Sequence, residues 1–133
     1  MESTMTESTF LPKILIVDDE VKMCFTLTKL FELSNYSVAV AHNGLEALDK
    51  VDSFQPHCIL LDIRMPQMNG VEVLKRVKQE HPEIVVIMTT AVVTEESREE
   101  CLKIGAADYL IKPIDFKELL GNINNRIQPT LKS

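Results

Sequence analysis

Five short apolar runs rich in Ile, Val and Leu alternate along the chain with longer segments that mix apolar and polar residues. Runs this short are typical of β-strands, whereas the segments between them have the apolar spacing of helices. An alternation of strand and helix predicts βα units, in which parallel strands form one sheet with helices on both faces. The predicted strands span residues 13–17, 36–41, 57–61, 84–89 and 108–111.

The segments between the strands are expected to be helices that each bury one face. Asn35 and Gly105 follow the first and fourth helices, where a residue that tolerates positive φ favours a helix stop. Thr94 is expected to cap the start of the fourth helix. The predicted apolar stripes consist of Val21, Cys24, Phe25, Leu27, Leu30 and Phe31, then Leu45, Leu48 and Val51, then Val71, Leu74 and Val77, and finally Leu119, Leu120, Ile123 and Ile127.

The length and composition fit one globular domain. At 133 residues, with 45% hydrophobic and 26% charged residues, the chain can bury a core without disulfide or metal staples. We expect the domain to span residues 13–127. A flexible tail over residues 1–12 would precede it, and residues 128–133 would form a second tail or the start of a linker.

The charge and the cysteines restrict the partners and the compartment. A net charge of −6 argues against direct binding to nucleic acid or to an anionic membrane, since both would repel the domain. Cys24, Cys58 and Cys101 show no C-x-x-C spacing, so neither a disulfide framework nor a zinc site is indicated. No apolar stretch approaches the roughly 18 residues of a membrane-spanning helix, and the first residues lack a signal-peptide pattern. We therefore expect a cytoplasmic protein with reduced cysteines.

Polar residues follow or end four of the predicted strands. Asp18 and Asp19 follow the first strand, Asp62 the third, Thr90 the fourth and Lys112 the fifth. Because the carboxyl ends of parallel strands lie along one edge of a sheet, we expect these side chains to meet there. Three carboxylates, a hydroxyl and an amine suit a hard cation together with a phosphoryl group.

Magnesium fits this set of donors, because proteins hold Mg²⁺ through one or two carboxylates and leave it several waters. We expect Asp19 and Asp62 to bind it directly, with Asp18 acting through water or as a supporting neighbour. Adjacent side chains point to opposite sides of a continuing strand, so both acids reach one site only if the backbone turns where the strand ends. Alternatively, Asp18, Asp19 and Glu20 cap the first helix, and the two roles are compatible.

Four stretches of the chain resemble the receiver domain of two-component response regulators. They are ILIVDDE at residues 14–20, LLDIRMPQMNG at 60–70, Thr90-Ala91, and GAADYLIKP at 105–113. The resemblance runs from about residue 13 to residue 127, and separated motifs in the right order are a specific signal. It implies an α/β fold of the flavodoxin-like (βα)5 type, a doubly wound five-stranded parallel sheet with strand order 2-1-3-4-5.

The resemblance also implies a role for each site residue. It makes Asp62 the phosphoacceptor, and Asp18 and Asp19 the acidic pair that binds Mg²⁺ together with Asp62. The main-chain carbonyl of Arg64 would be a further metal ligand, and Mn²⁺ would be a substitute for Mg²⁺. No other cofactor is implied.

The remaining motif positions are implied to sense the phosphorylated state. Thr90 would be the switch hydroxyl, Tyr109 the aromatic residue that moves inward on activation, and Lys112 the cation that contacts the phosphoryl group. The resemblance also implies a cis Lys112-Pro113 bond, an isomer that costs little before proline. As a hypothesis, the long Arg64 and the apolar Val92 would hinder water at the acyl phosphate and prolong the phosphorylated state.

The implied function is regulatory rather than enzymatic. The domain would take a phosphoryl group from a sensor histidine kinase or a histidine phosphotransfer protein, and would catalyse only its own phosphorylation and dephosphorylation. The face formed by the fourth helix, the fifth strand and the fifth helix would then change its preference for a downstream effector protein or domain, or form a dimer. We expect either a stand-alone receiver or the receiver part of a larger response regulator.

Three other classes of protein are disfavoured by particular residues. An aspartate-nucleophile phosphatase needs a second aspartate two residues after the nucleophile, where Arg64 stands. A flavodoxin-like cofactor binder needs a phosphate loop rich in glycine and hydroxyl groups after the first strand, where Asp18, Asp19 and Glu20 stand. A receiver-like module that only binds partners would lack an acid or the lysine, and all of them are present.

The histidines and an acidic run receive ordinary structural interpretations. His42, His57 and His81 lie on different predicted elements and are interpreted as surface or strand-end residues. The acidic run is interpreted as a solvated helix face that also influences partner choice, and it consists of Glu95, Glu96, Glu99 and Glu100.

Overall fold

The computed structural model describes residues 11–92 and 94–132, with side chains described as far as residue 127. Over these residues five strands alternate with five helices, and no helix is both long and apolar enough to cross a membrane. In chain order the elements are β1 (Lys13–Val17), α1 (Val21–Leu33), β2 (Ser37–Ala41), α2 (Gly44–Phe54), β3 (Cys58–Asp62), α3 (Gly70–Glu80), β4 (Val85–Thr90), α4 (Glu95–Ile104), β5 (Asp108–Ile111) and α5 (Phe116–Lys132).

The strands form one parallel sheet in the order β2-β1-β3-β4-β5. This order confirms the predicted (βα)5 flavodoxin-like fold. β1 and β3 are neighbours near the middle of the sheet, while β5 lies beyond β4 at one side. The carboxyl ends of β1 and β3, where Asp18 and Asp62 occur, are therefore adjacent.

Successive side chains of the inner strands point to opposite faces of the sheet, and both faces are covered. In β1, Leu15 and Val17 pack into a core with residues of α2, α3 and α4. Ile14 and Ile16 pack into a second core with residues of α1 and α5. Burial on both faces is the reason that these strands read as continuous apolar runs instead of alternating ones.

Side-chain caps and positive-φ residues mark several helix ends. The side chains of Asn43, Asn69 and Thr94 accept hydrogen bonds from backbone N–H groups in the first turns of α2, α3 and α4. Asn35 and Gly105 have φ values of 69° and 132°, as expected for helix stops. The predicted stops and the predicted Thr94 cap are therefore confirmed.

One face of α1 differs from the prediction. The apolar pattern predicts Val21 and Phe25 in the core, but these side chains are 65% and 64% exposed. The helix instead buries Cys24, Leu27 and Phe31. Each helical residue is rotated about 100° from the one before it, so Phe25 turns away from the sheet when Cys24 faces it. The prediction was wrong for Val21 and Phe25 because the apolar stripe is wider than the face that the sheet covers.

Smaller differences occur in the other helices. Leu45 at the start of α2 is 60% exposed. In α3 the fully buried Val73 lies outside the predicted stripe, whereas Val71 is only half-buried. The last helix continues to Lys132, beyond the predicted end at Ile127. The tail expected over residues 1–12 lies mostly outside the described residues, and the domain bounds stay a prediction.

Phe31 joins the elements of the second core. It is fully buried and meets the rings of Tyr36 and Phe116 edge to face, with centroids 5.4 Å and 4.9 Å away. Aromatic pairs in this geometry are favourable beyond the area that they bury. Phe31 therefore ties α1 to the segment before β2 and to the start of α5.

Replacing Phe31 by Ala is expected to lower the free energy of unfolding by about 3 to 5 kcal/mol, because the change empties a fully buried site. Phe25→Ala in the same helix is the matched control, and it should change the free energy by less than about 1 kcal/mol because its ring is exposed. Urea denaturation followed by circular dichroism measures both values. Equal losses in the two variants would contradict the orientation of α1.

Candidate functional site

Three aspartate side chains come together at the carboxyl edge of the sheet. Asp62 is the last residue of β3, and Asp18 and Asp19 directly follow the neighbouring strand β1. Oxygen atoms of the three carboxylates all lie within 4.8 Å of one another. Asp18 and Asp62 are 1% and 4% exposed, whereas Asp19 is exposed. The structure therefore brings together the acids that the strand pattern places at this edge.

The chain turns after β1, and this turn lets adjacent acids share one site. The Asp18 N–H still donates to the Ala41 carbonyl at 3.0 Å, which extends the sheet by one bond. Oδ1 of Asp18 accepts a hydrogen bond from the Glu20 N–H at 2.9 Å. Glu20 is the N-cap residue of α1 and makes no side-chain cap bond. Asp18 therefore supports the start of α1 with one oxygen and leaves Oδ2 for a second role.

Lys112 supplies positive charge at this edge. Its Nζ lies 2.8 Å from Asp18 Oδ2, 3.6 Å from Asp62 Oδ2 and 4.0 Å from Glu20 Oε1. Burial acts to lower the pKa of Lys112, but the hydrogen bond to Asp18 and the charges of Asp18, Asp62 and Glu20 outweigh it, so the pKa is raised. The ammonium group therefore stays charged between the two buried acids. The Lys112-Pro113 peptide bond is cis, as the resemblance implies.

The surroundings of Asp62 disfavour its negative charge. Burial and then the charge of Asp18 raise the pKa of Asp62 from 3.8 to about 6, against the opposing effects of Lys112 and a hydrogen bond from the Arg64 backbone. The charge of Asp19 raises the pKa further. Three carboxylates thus face one ammonium group, which leaves an excess of negative charge. A divalent cation would offset this excess, and a donor set made of oxygen suits Mg²⁺.

Gly70 lets the loop after β3 close against Asp62. The Gly70 N–H donates to the Ile63 carbonyl at 2.8 Å. A Cβ at residue 70 would lie 2.2 Å from the Asp62 carbonyl oxygen, well inside van der Waals contact. Only glycine therefore allows α3 to begin this close to the end of β3. The Asn69-Gly70 pair signals a turn in the sequence, but it does not reveal this contact.

The fold and the arrangement of acids and lysine match a known family. The family model of the response regulator receiver domain matches residues 14–124, which is most of the chain and includes all of the residues of this site. The chain belongs to this family.

Known relatives match this receiver domain over most of its length. The transcriptional regulatory protein ZraR of Klebsiella oxytoca is 46% identical over 106 residues, which cover 80% of this chain but 24% of ZraR. The receiver domain protein (CheY-like) of Methanospirillum hungatei JF-1 has a TM-score of 0.88 and 30% identity, covering 92% of this chain and 98% of that one. A chain of the CheX-CheY-BeF3-Mg²⁺ complex from Borrelia burgdorferi has a TM-score of 0.81 and 30% identity, covering 86% of this chain and 87% of that one. The resemblance recognised from the motifs is confirmed.

Thr90 and Tyr109 lie on neighbouring strands of this receiver domain. Thr90 ends β4, and its hydroxyl donates to the Val92 carbonyl at 3.1 Å and accepts from the Val92 N–H at 3.2 Å. Tyr109 in β5 is 6% exposed and packs into the core that α3 and α4 cover. Within the described part of the chain, the Tyr109 hydroxyl has no hydrogen-bond partner. The structure therefore combines an inward tyrosine with a threonine hydroxyl that is engaged by its own loop.

Arg64 lies in the loop between β3 and α3, and its side chain is exposed. Its backbone contributes the hydrogen bond to Asp62 described above. The proposed role of the Arg64 carbonyl as a metal ligand stays a prediction.

Two residues that sequence reasoning did not assign to this site contact the acidic pair. His42 Nδ1 and Cys24 Sγ lie 3.0 Å and 3.4 Å from the main-chain carbonyl oxygen of Asp18. The interpretation of His42 as an ordinary strand-end residue misses this contact. The position of His42 directly after β2, at the same edge of the sheet as the acids, is the sequence signal that could have indicated this contact.

Asp62→Asn is expected to stabilise the metal-free protein at neutral pH. Because the pKa of Asp62 is raised from 3.8 to about 6, the folded wild type loses stability through this group as the pH rises through that range. The asparagine variant lacks this loss and should be more stable by about 1 to 3 kcal/mol at neutral pH, from about 1.4 kcal/mol per pKa unit.

Urea denaturation in EDTA over a pH series measures this difference. The advantage of the variant should disappear below the unfolded-state pKa of 3.8, where Asp62 is protonated in both states. A variant that is less stable than wild type at neutral pH without metal would show that the charge of Asp62 is well accommodated.

Proposed function

We propose that this receiver domain accepts a phosphoryl group on Asp62 in a reaction that depends on Mg²⁺. The observation that carries the proposal is the convergence of three carboxylates within 4.8 Å, with the Lys112 Nζ 3.6 Å from Asp62. The donor would be a sensor histidine kinase or a histidine phosphotransfer protein. Membership of the response regulator receiver family supports this choice of donor.

The donor groups at this site fit a magnesium ion. Asp18, Asp19 and Asp62 would hold it, together with the main-chain carbonyl of Arg64, and Mn²⁺ would be a substitute. The similar Borrelia burgdorferi protein was solved in a complex that contains BeF3 and Mg²⁺, which supports the same class of ion here. Mg²⁺, when bound, supplies positive charge next to the oxygens of the phosphoryl group.

The balance of charge supports an acyl phosphate at Asp62. Three ionised aspartates are balanced by Lys112 and a divalent cation. Conversion of the Asp62 carboxylate into a doubly charged acyl phosphate makes the site only one unit more negative. A carboxylate is a weak nucleophile, and this near-balance allows it to accept a phosphoryl group.

The proposed transfer forms one bond and breaks another. A carboxylate oxygen of Asp62 attacks the phosphorus of a phosphohistidine, and the P–N bond breaks with its electron pair left on the imidazole, which takes up a proton. A pKa of about 6 keeps most of the Asp62 carboxylate ionised at neutral pH and makes it more basic than an ordinary aspartate. Lys112 is close enough to contact an oxygen of the transferred group.

Thr90 and Lys112 would convert phosphorylation into a conformational change. In the proposed switch the Thr90 hydroxyl leaves the Val92 backbone and donates to a phosphoryl oxygen. A shift from mostly inactive to mostly active needs about 5.5 kcal/mol of differential binding. Hydrogen bonds to charged groups contribute about 1.5 to 3 kcal/mol each, so Thr90 and Lys112 together are about enough. Tyr109 is buried in this structure, and its role in the switch, as the aromatic residue that fills the space left by Thr90, stays a prediction.

The output surface would be the face formed by α4, β5 and α5. Ile111 in β5 is 50% exposed, and the glutamates of α4 are exposed to solvent. An apolar and acidic surface supports a partner whose own surface is apolar and basic. A downstream effector protein or domain, or a second copy of the phosphorylated chain, would bind there. The chain spans about a quarter of the length of ZraR, so a linked output domain is one form that the effector would take.

The domain would act as a regulatory phosphoacceptor and not as an enzyme that turns over an external substrate. It would catalyse only its own phosphorylation and dephosphorylation. We place this activity in the cytoplasm, where histidine kinases obtain ATP, and the three free, buried thiols agree with a reducing compartment.

Intact mass after incubation with Mg²⁺ and acetyl phosphate tests the phosphoacceptor. The wild-type chain is expected to gain the mass of one phosphoryl group, and Asp62→Asn is expected to gain none, because the proposal makes Asp62, at the end of β3, the phosphoacceptor. Asp52→Asn is the matched control, since it changes an exposed aspartate of α2. Incorporation by Asp62→Asn at the wild-type level would remove Asp62 from this role.

The lifetime of the phosphorylated state tests the effect of Arg64 and Val92. Both side chains are exposed in the loops that follow β3 and β4, where they would hinder water from reaching the acyl phosphate. We expect a half-life of minutes or longer, and a several-fold shorter one in the double variant Arg64→Ala, Val92→Ala. Loss of the phosphoryl mass with time measures both, with Arg98→Ala on α4 as the control. A wild-type lifetime of seconds would contradict the hypothesis.

A further inference from the structure

The main-chain carbonyl of Asp18 is held by side chains and not by the sheet. β1 ends at Val17, and no backbone N–H in the described part of the chain donates to this carbonyl. His42 Nδ1 lies 3.0 Å from the carbonyl oxygen, and Cys24 Sγ lies 3.4 Å from it. Two side chains, one from α1 and one from the residue that follows β2, thus replace the sheet bond at the point where the acidic pair begins.

The contact between His42 and the Asp18 carbonyl depends on which ring nitrogen carries the proton. A carbonyl oxygen can only accept a hydrogen bond, so the neutral imidazole must carry its proton on Nδ1 to make this contact. Cys24 is a weaker donor, and burial, followed by the charge of Asp18, raises the pKa of its thiol to about 11. His42 is therefore the stronger of the two partners of the Asp18 carbonyl.

His42 is itself fixed at the start of α2. Its backbone N–H donates to Glu46 Oε1 at 2.6 Å, and the Glu46 N–H donates to Asn43 Oδ1 at 2.9 Å. The side chain is half-buried. The backbone of His42 is thus anchored to the start of α2 while its ring contacts the residue that follows β1.

The direction of the Asp18 carbonyl decides where Asp19 points. Adjacent side chains of an extended chain lie on opposite sides, so Asp19 reaches Asp18 and Asp62 only if the peptide between residues 18 and 19 is rotated out of the strand geometry. That peptide carries the carbonyl that His42 contacts. A hydrogen bond at this atom resists the return of the peptide to an extended orientation.

We propose that His42 is a positioning residue for the acidic pair, whose Nδ1–H fixes the peptide between Asp18 and Asp19 so that the three carboxylates present a preformed set of ligands to Mg²⁺. The inference rests on the proposed function, because it concerns the metal site of that function. It gives α2 a direct connection to the site through Glu46 and His42.

Two substitutions at residue 42 separate the hydrogen bond from the bulk of the ring. His42→Asn retains an N–H donor close to the place of Nδ1, whereas His42→Leu is of similar size and has no donor. Isothermal titration with MgCl₂ measures the affinity without any phosphorylation step. His42→Leu is expected to weaken Mg²⁺ binding by about threefold to tenfold, in line with one lost hydrogen bond, and His42→Asn should stay near wild type.

His81→Leu is the matched control, because His81 caps the C-terminus of α3 and contacts Asp52 and Glu83 instead of the acidic pair. It should leave the Mg²⁺ affinity unchanged. Wild-type affinity in His42→Leu, or equal weakening in the Leu and Asn variants, would overturn the role of the Nδ1–H group. Failure of the wild type to bind Mg²⁺ would count against the proposed function itself.

A measurement on the wild type does not depend on the folding of any variant. The ¹⁵N spectrum of the imidazole groups in mildly alkaline buffer reports which ring nitrogen carries the proton. We expect His42 to have the Nδ1–H form and its Nδ1 resonance to respond to MgCl₂. A His42 ring protonated on Nε2 alone would overturn the proposal, because that form cannot donate to the Asp18 carbonyl.

Discussion

The contact between Lys112 and the buried acids governs the rest of the site. Asp18 and Asp62 are nearly inaccessible to water, and charges in such places are costly unless partners compensate them. The Lys112 ammonium lies 2.8 Å from Asp18 and 3.6 Å from Asp62, so one cation serves both. It does not balance three carboxylates, and burial together with the charge of Asp18 raises the pKa of Asp62. A site that is short of positive charge is suited to bind a divalent cation.

The strand order makes this contact possible. Asp18 and Asp62 follow neighbouring strands, but Lys112 follows β5, which is separated from β3 by β4. Two strand spacings amount to about 10 Å, so the contact needs a long side chain that reaches toward the acids from the end of β5. The Lys112 N–H donates to the Thr90 carbonyl at 2.8 Å, which holds the lysine backbone against the end of β4. The backbone of the lysine that reaches the acids is therefore tied to the strand end that carries Thr90.

Prediction from sequence succeeded where the physical cause is local or periodic. The runs around Ile14–Ile16 and Leu60–Leu61 are apolar at every position because both faces of the sheet are covered, and this pattern is visible without coordinates. The stops at Asn35 and Gly105 follow from the φ values that those residues tolerate. Prediction failed for Val21 and Phe25, because apolar spacing shows that a helix has a stripe but not how much of the stripe a sheet covers. It also missed Gly70 and His42, whose roles depend on atoms that are distant in the chain.

The amino-acid sequence by itself determined the five βα units, the family, and the set of acids, hydroxyl and lysine at one edge of a parallel sheet. These features follow from residue type and spacing, which can be seen in the sequence without any knowledge of contacts between distant residues. Only the tertiary structure decided that Asp18 divides its two oxygens between Glu20 and Lys112, that Tyr109 lies inward while Thr90 bonds to its own loop, and that His42 contacts the Asp18 carbonyl. Each of these depends on distances of a few ångströms between separate elements. Packing of the whole domain sets such distances, and no local pattern encodes them.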